Sequence, residues 1–227
     1  MCSRYEAKTR PEKIAERFRL ADTPLDLARV EVRPTDPAII VVRAEDGARV
    51  ARPARFGLAV SWDRNPVINA RAETLWRKPT FRPLRANRCV IPASAYFEWR
   101  QDGPGAQAPN PDDPAAFLSP GVFYYGGGHR RARRRNRIAL EDEALMGFAG
   151  LFDADRFVII TCAPAAAIMG VHDRMPVILP PETEDSWLDP DTSNDALVAL
   201  LGPYAGTIAA VEEPRKIPAQ GGLFGEL

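Results

Sequence analysis

The chain has little of what metals, disulfides and membranes require. Its 227 residues include three cysteines, Cys2, Cys89 and Cys162, and two histidines, His129 and His172. There is no Cys-x-x-Cys pair and no closely spaced pair of histidines, so neither a structural zinc site nor a disulfide framework is expected. The longest aliphatic run, Ala38 to Val42, is far too short to span a bilayer, and nothing near the start resembles the apolar core of a signal peptide. These absences predict a cytoplasmic protein that keeps its thiols reduced and needs no membrane, metal or cofactor. Net charge is missing as well, because 30 Lys and Arg balance 30 Asp and Glu. Any attraction for a polyanion must therefore come from local patches.

Such patches are present. Six bases, Arg71, Arg77, Lys78, Arg82, Arg85 and Arg88, stand against the single acid Glu73 between positions 71 and 88. A second cluster, Arg130, Arg131, Arg133, Arg134, Arg135 and Arg137, is purely basic, whereas the last 47 residues carry nine acids and two bases. Charge separated in this way can build a positive surface on a neutral protein, and phosphate backbones bind such surfaces. Arginines spread over solvated faces are the plainer reading. Hydrophobic content of 45% is that of a soluble globular protein, and the length suits one large domain.

The N-terminus, Met1-Cys2-Ser3-Arg4-Tyr5, carries a more specific signal. Removal of Met1 leaves Cys2 with an α-amine and a thiol on adjacent carbons. That pair can condense with an aldehyde to a Schiff base and then close a five-membered thiazolidine. The α-amine, with a pKa of about 7.7–8.0, is neutral near pH 7 far more often than a lysine amine at about 10.4. The thiol, near 8.5 when unperturbed, needs help from its surroundings. Alone, Cys2 reads better as an arbitrary second residue on a fraying terminus.

Periodicity and turn residues predict a short helix over Pro11–Arg19, with proline in its first turn and Ile14 and Phe18 on one face. Strands are predicted at Ala38–Val42, Phe56–Trp62, Arg88–Ile91, Tyr96–Arg100, Met146–Phe152 and Arg156–Cys162. Further helices are predicted over Ala165–Val171 and from Ser193 or Asn194 to Leu201. Strands outnumber helices without alternating with them. That pattern gives an α+β fold, with a curved, barrel-like, mainly antiparallel sheet and a few flanking helices. Proline, glycine and arginine dominate from Gln101 to Asn136, which predicts a basic insertion loop over about 103–136 that is at least partly disordered.

Four segments matter together: Cys2-Ser3-Arg4-Tyr5; Ile68-Asn69-Ala70-Arg71-Ala72-Glu73-Thr74; Arg88-Cys89-Val90-Ile91-Pro92-Ala93 running on to Phe97-Glu98-Trp99; and His172-Asp173-Arg174-Met175-Pro176-Val177-Ile178-Leu179. In identity and order they resemble the SOS-response-associated peptidase (SRAP) family, whose members process abasic sites in single-stranded DNA. Lesser landmarks extend the similarity: Arg33-Pro34-Thr35, Phe56-Gly57-Leu58, Phe148-Ala149-Gly150-Leu151, Thr161 and Trp187-Leu188-Asp189-Pro190. It covers nearly all the chain except the insertion and the tail after about 205. It implies a single SRAP-like domain over 1–227, acting as a monomer. It also implies a covalent thiazolidine crosslink between Cys2 and the ring-opened abasic sugar, with associated peptidase activity on Met1 and lyase activity.

Carried over residue by residue, Asn69 matches the asparagine that positions the sugar and the cysteine. Glu98 matches the acid/base carboxylate, and His172 the histidine beside the Schiff base. Arg4 and Arg71 match arginines that hold phosphates, and Thr161 matches a residue lining the pocket. Trp62, Trp99 and Phe56 offer faces on which bases could stack. Proton movement at the sugar and the Schiff base suits one carboxylate and one imidazole with tuned pKa values. The chain departs from the family pattern at Ser3, where glycine is usual, at Glu31, where asparagine is common, and at Phe56, in place of tryptophan.

Plainer readings compete. Strand alternation would turn Glu98 to solvent, opposite Phe97 and Trp99. His172 would be a hydrogen-bonded turn residue, Asn69 ordinary turn chemistry, and Cys89 and Cys162 inert core thiols. Two other functions also fit the sequence: a thiol peptidase or amidase using Cys2 as an N-terminal nucleophile, and a non-covalent single-strand binding module.

Overall fold

The computed structural model describes residues 2–101, 133–142 and 144–214. In chain order the elements are β1 (Arg4–Ala7), α1 (Pro11–Phe18), β2 (Arg29–Val32), β3 (Pro37–Arg43), β4 (Arg49–Phe56), β5 (Leu58–Val60), β6 (Asp63–Val67), β7 (Asn69–Arg71), β8 (Arg88–Ala93) and β9 (Ala95–Gln101). After them come β10 (Arg133–Leu140), β11 (Met146–Asp153), β12 (Arg156–Cys162), β13 (Met175–Pro176), β14 (Ile178–Leu179), α2 (Glu184–Leu188), α3 (Asn194–Ala199) and β15 (Ile208–Glu212). The architecture is mostly sheet with few helices, as the alternation of short apolar runs and turns predicts.

One sheet closes on itself. β12 pairs with β4, β4 with β3, β3 with β8, β8 with β11, and β11 returns to β12. Most of these pairings are antiparallel, but β12 runs parallel to β4 and to β7. The ring is filled by apolar side chains, and Phe56 lies 5.3 Å from Phe157 with the two rings stacked. Gly150 is required where β11 meets both neighbours, because a methyl group there would stand 2.8 Å from the Val158 carbonyl oxygen. Gly57, at φ +108°, ends β4 in a backbone conformation that glycine alone adopts freely. The expected strand Phe56–Trp62 is therefore broken, and its second part forms a separate hairpin of β5 and β6.

A second sheet has the order β15-β10-β9-β1-β2. Here the expected insertion ends earlier than its composition suggests. Residues 103–132 lie outside the described residues, but Arg133 to Asn136 form the first half of β10, paired along β9. A run of arginines becomes a strand because its long side chains cover aromatic faces: the Arg135 guanidinium sits 3.8 Å from the centre of the Phe97 ring. α1 begins with Pro11, buries Ile14 and Phe18, and ends at Arg19 in the left-handed region at φ 54°. The expected helix over 165–171 shrinks to one 3-10 turn, Ala166–Ile168. Ser193 caps α3 by accepting from the Ala196 N–H.

Among the described residues no helix is long and apolar enough to cross a membrane. No group of three or more His, Cys, Asp or Glu side chains among them is disposed to hold a metal ion.

Candidate active site

Cys2 owes its position to the strand that begins two residues after it. β1 pairs antiparallel with β9, Arg4 opposite Phe97 and Tyr5 opposite Tyr96, which lays the N-terminus along the strand that carries Glu98. Asn69, at the start of β7, is held there because β7 runs parallel to β12, with Asn69 opposite Ile159. Its Nδ2 donates to the Cys2 carbonyl oxygen at 2.9 Å and to the Ile68 carbonyl at 2.8 Å. Both donors are thus spent, while Asn69 Oδ1 is buried with no partner. A buried acceptor without a donor is costly unless a ligand or water completes it. His172 follows the turn at Ile168, whose carbonyl takes its backbone N–H at 3.1 Å.

The alternation expected of Phe97-Glu98-Trp99 is reversed in the molecule. Glu98 points inward and is 2% exposed, while the two aromatic residues lie on the opposite face under arginine side chains. Burial, the largest cause, raises the Glu98 carboxyl from its ordinary 4.5 to about 7. The positive N-terminus opposes that rise and Asp173 adds to it. His172 Nε2 stands 3.5 Å from Glu98 Oε2. On the other side of the ring the Arg174 backbone N–H donates to Nδ1 at 3.0 Å, which fixes the neutral tautomer with its proton on Nε2, facing Glu98. Asp173 Oδ1 is also 2.9 Å from Nδ1, but that carboxylate is 87% exposed and rivals a backbone donor only if the ring is protonated. Burial lowers the His172 pKa, so the neutral form prevails.

The Cys2 thiol is fully buried, and burial, helped by the negative charge of Glu98, pushes its pKa far up. It is stored as S–H, near the Arg4 carbonyl oxygen at 3.8 Å. Sequence reasoning missed the hydroxyls of Tyr5 and Tyr96. Among the described residues both are buried without a hydrogen-bond partner, and burial raises both phenols well above their ordinary value. Tyr5 lies in the first motif and Tyr96 just before Phe97, but a tyrosine on a strand reads as core. Arg174 was legible within the fourth motif yet carried no assigned role. Its guanidinium holds Glu73 at 2.6 and 3.0 Å and also donates to the Thr161 carbonyl at 2.6 Å. The hydrogen bond to Glu73 is the main reason that carboxyl titrates below its usual range.

The chain is similar in sequence and fold to other proteins. A family model described as SOS response associated peptidase (SRAP) matches residues 1–216. The chain belongs to the SRAP family. The abasic site processing protein YoqW of Bacillus subtilis strain 168 is 31% identical over 224 residues, covering 90% of this chain and 88% of YoqW. The abasic site processing protein YedK of Escherichia coli K12 is 27% identical over 205 residues, covering 85% and 82%. Among solved structures, a crystal structure of a Bacteroides thetaiotaomicron protein shares the fold at a TM-score of 0.70, with 23% identity over 93% of this chain and 91% of that one.

The remaining residues expected of the SRAP site are placed less uniformly. Arg71 is exposed on β7, two residues from Asn69 and so on the same side of the strand. Arg4 is not open: its Nη1 binds Glu31 Oε1 at 2.9 Å, and its guanidinium lies 5.3 Å from the Trp99 ring. Glu31 also binds Arg33 at 2.6 Å and Arg135 at 2.5 Å. Burial pushes the Glu31 carboxyl up, but the Arg33 hydrogen bond and the charges of Arg135 and Arg4 outweigh it and hold the group below its ordinary value. Thr161 is wholly buried, opposite Arg71 across the β7–β12 pairing and beneath Arg174. Phe56 is wholly buried and stacked on Phe157, so it presents no face for a base. Trp62, 66% exposed, sits in the turn between β5 and β6. Cys89 and Cys162 are core thiols; burial raises both, Cys162 to about 11.

Proposed function

We propose that this SRAP protein captures abasic sites in single-stranded DNA as a covalent thiazolidine on Cys2 once Met1 has been removed. The α-amine attacks C1′ of the ring-opened sugar and water leaves, giving a Schiff base. Sγ then adds to the carbon of the protonated imine as the thiol loses its proton, which closes the ring with one water released overall. The observation that carries this reading is the grip of Asn69 on the Cys2 carbonyl beside a buried pair of proton carriers, Glu98 and His172. A carboxyl near 7 can both give and take a proton at neutral pH. It can protonate the departing hydroxyl and then receive the thiol proton as sulfur adds. The neutral imidazole, with Nε2–H facing Glu98, can relay protons to the sugar oxygens. Asn69 Oδ1 offers a buried acceptor for a sugar hydroxyl or for the amine itself.

The names of the relatives support abasic DNA as the substrate class. Arg71 and the exposed Trp62 would bind phosphate and base from the solvent side. Peptidase activity on Met1 follows if Glu98 activates the water that cleaves it, and lyase activity if His172 promotes β-elimination from the Schiff base.

The deciding experiment incubates the mature protein with uracil-glycosylase-treated single-stranded DNA and resolves the products on a denaturing gel. A borohydride-independent adduct is expected. Cys2→Ser and a Met1-retaining form should give none, with reversible binding kept within about twofold. An acyl-enzyme with amide substrates would point instead to a thiol amidase, and reversible binding alone to a non-covalent module.

A further inference from the structure

A cavity of about 760 Å³ opens between α1 and the second sheet, well away from His172. Its walls include Glu6, Lys8, Arg10, Lys13, Ser94 and Arg137. The buried carboxylate of Glu6 is already satisfied there. Arg137 Nη2 donates to it at 3.0 Å and the Ser94 hydroxyl at 2.8 Å. Lys8, Arg10 and Lys13 differ from every arginine near Cys2 except Arg71. They are exposed, and among the described residues none has an ion pair or a side-chain hydrogen bond. With Glu6 taken up by Arg137, the acid left to oppose them among the described lining residues is Glu16. Three unspent positive charges around one concavity concentrate positive potential there.

The cavity is also connected to the site. Cys2 and Lys8 are the two ends of one extended segment, six residues or about 20 Å apart. Arg4 and Glu6 alternate onto its outer face, and Arg135 and Arg137 take the same face of β10, opposite Trp99 and Phe97. The face of this sheet opposite Glu98 thus carries paired arginines beside Cys2 and, at the Lys8 end, cations without an ion pair among the described residues.

We propose that this cavity is a phosphate-binding site, filled by a phosphodiester of the strand that flanks the abasic nucleotide. The assignment rests on the DNA-processing reading of the site, but not on its chemistry. The test therefore uses full-length protein and unmodified single-stranded oligonucleotides, about four and about fifteen nucleotides long, with binding read by fluorescence anisotropy across salt. Replacing Lys8, Arg10 and Lys13 together by alanine should weaken the long oligonucleotide about tenfold or more and the short one less than twofold. The salt slope on the long one should fall by roughly two. The single reversal Lys13→Glu, on an exposed face of α1, should give a smaller loss of the same kind and guards against a folding defect in the triple variant.

At saturating protein, the triple variant should crosslink a short abasic oligonucleotide at the wild-type rate, so failure of the Cys2 chemistry and failure of the cavity are read separately. Equal losses on both lengths, or none, would overturn the proposal. Titration with inorganic phosphate distinguishes the source: phosphate binding lost in the variant, with oligonucleotide affinity untouched, overturns the strand assignment and gives the cavity to a free phosphate.

Discussion

Two carboxylates lie equally deep in this protein and have opposite surroundings. Glu184, at the start of α2, is fully buried and bound by two arginines, Arg17 at 2.8 Å and Arg49 at 2.8 Å. Arg49 extends the cluster to Asp185 at 2.7 Å and to the Phe18 carbonyl, so that α1, β4 and α2 share one set of charges. Glu98 is 2% exposed and has no arginine in hydrogen-bond reach among the described residues; its ion-pair partner there is an imidazole at 3.5 Å. Depth alone does not decide the state of a buried acid. A carboxylate between two guanidiniums is a structural tie, and one facing a neutral ring and a thiol is held near neutrality, where it could carry protons.

The contrast can be broken experimentally, beginning with its strongest arm. Glu184→Ala leaves Arg49 charged and buried without its main partner, and should cost about 3–5 kcal/mol in denaturant unfolding. The fraction that remains folded should crosslink at the normal rate. A variant of normal stability would show that the cluster does not tie the elements together.

Glu98→Gln should act the other way round, slowing crosslinking about 100-fold or more while the fold persists. Timed gels and mass spectrometry of the N-terminus would check this, since Met1 removal should slow as well. His172→Gln is expected to spare Met1 removal and to slow only the Schiff-base steps and crosslink release. Identical defects in both variants would mean that the pair acts as one unit.

A subtler effect is written into stability. Because the Glu98 carboxyl is raised in the folded state, from 4.5 to about 7, the native protein holds a proton that the unfolded chain releases. Its contribution is fully present below pH 4.5 and is lost as pH rises through 7. Relative to wild type, Glu98→Gln should therefore gain about 3 kcal/mol between pH 4.5 and pH 8. Parallel stability curves for the two proteins would refute the raised pKa. The smallest expected change is Arg71→Ala, which should lower the salt slope of single-strand binding by roughly one phosphate's worth.

Four of the five ring strands were readable from β-branched and aromatic runs, because they bury both faces and leave an apolar record; β4, arginine-rich and partly exposed, was not. The strands that build the site were not. β1, β7 and β10 are short or arginine-rich, and no alternation marks them. Glu98 shows the same limit more sharply. Period-two reasoning sends the acid outward because it assumes that aromatics must face a core. Here Phe97 is covered instead by the flat face of Arg135, and the acid takes the inside. The residues of the site were legible through the motifs and through the rarity of an N-terminal aminothiol. Their partners were not: the hold of Glu31 on Arg4, of Arg174 on Thr161 and Glu73, and the idle hydroxyls of Tyr5 and Tyr96 all arise from pairings between distant segments.

The antiparallel pairing of β1 with β9 bears on the order in which the molecule can become reactive. Along the chain, the strand that lays Cys2 beside Glu98 follows it by nearly a hundred residues, and His172 follows later still. On the proposed chemistry, a chain cut short before those segments would carry Cys2 without the groups that move protons for it, a harmless thiol rather than a half-built crosslinker.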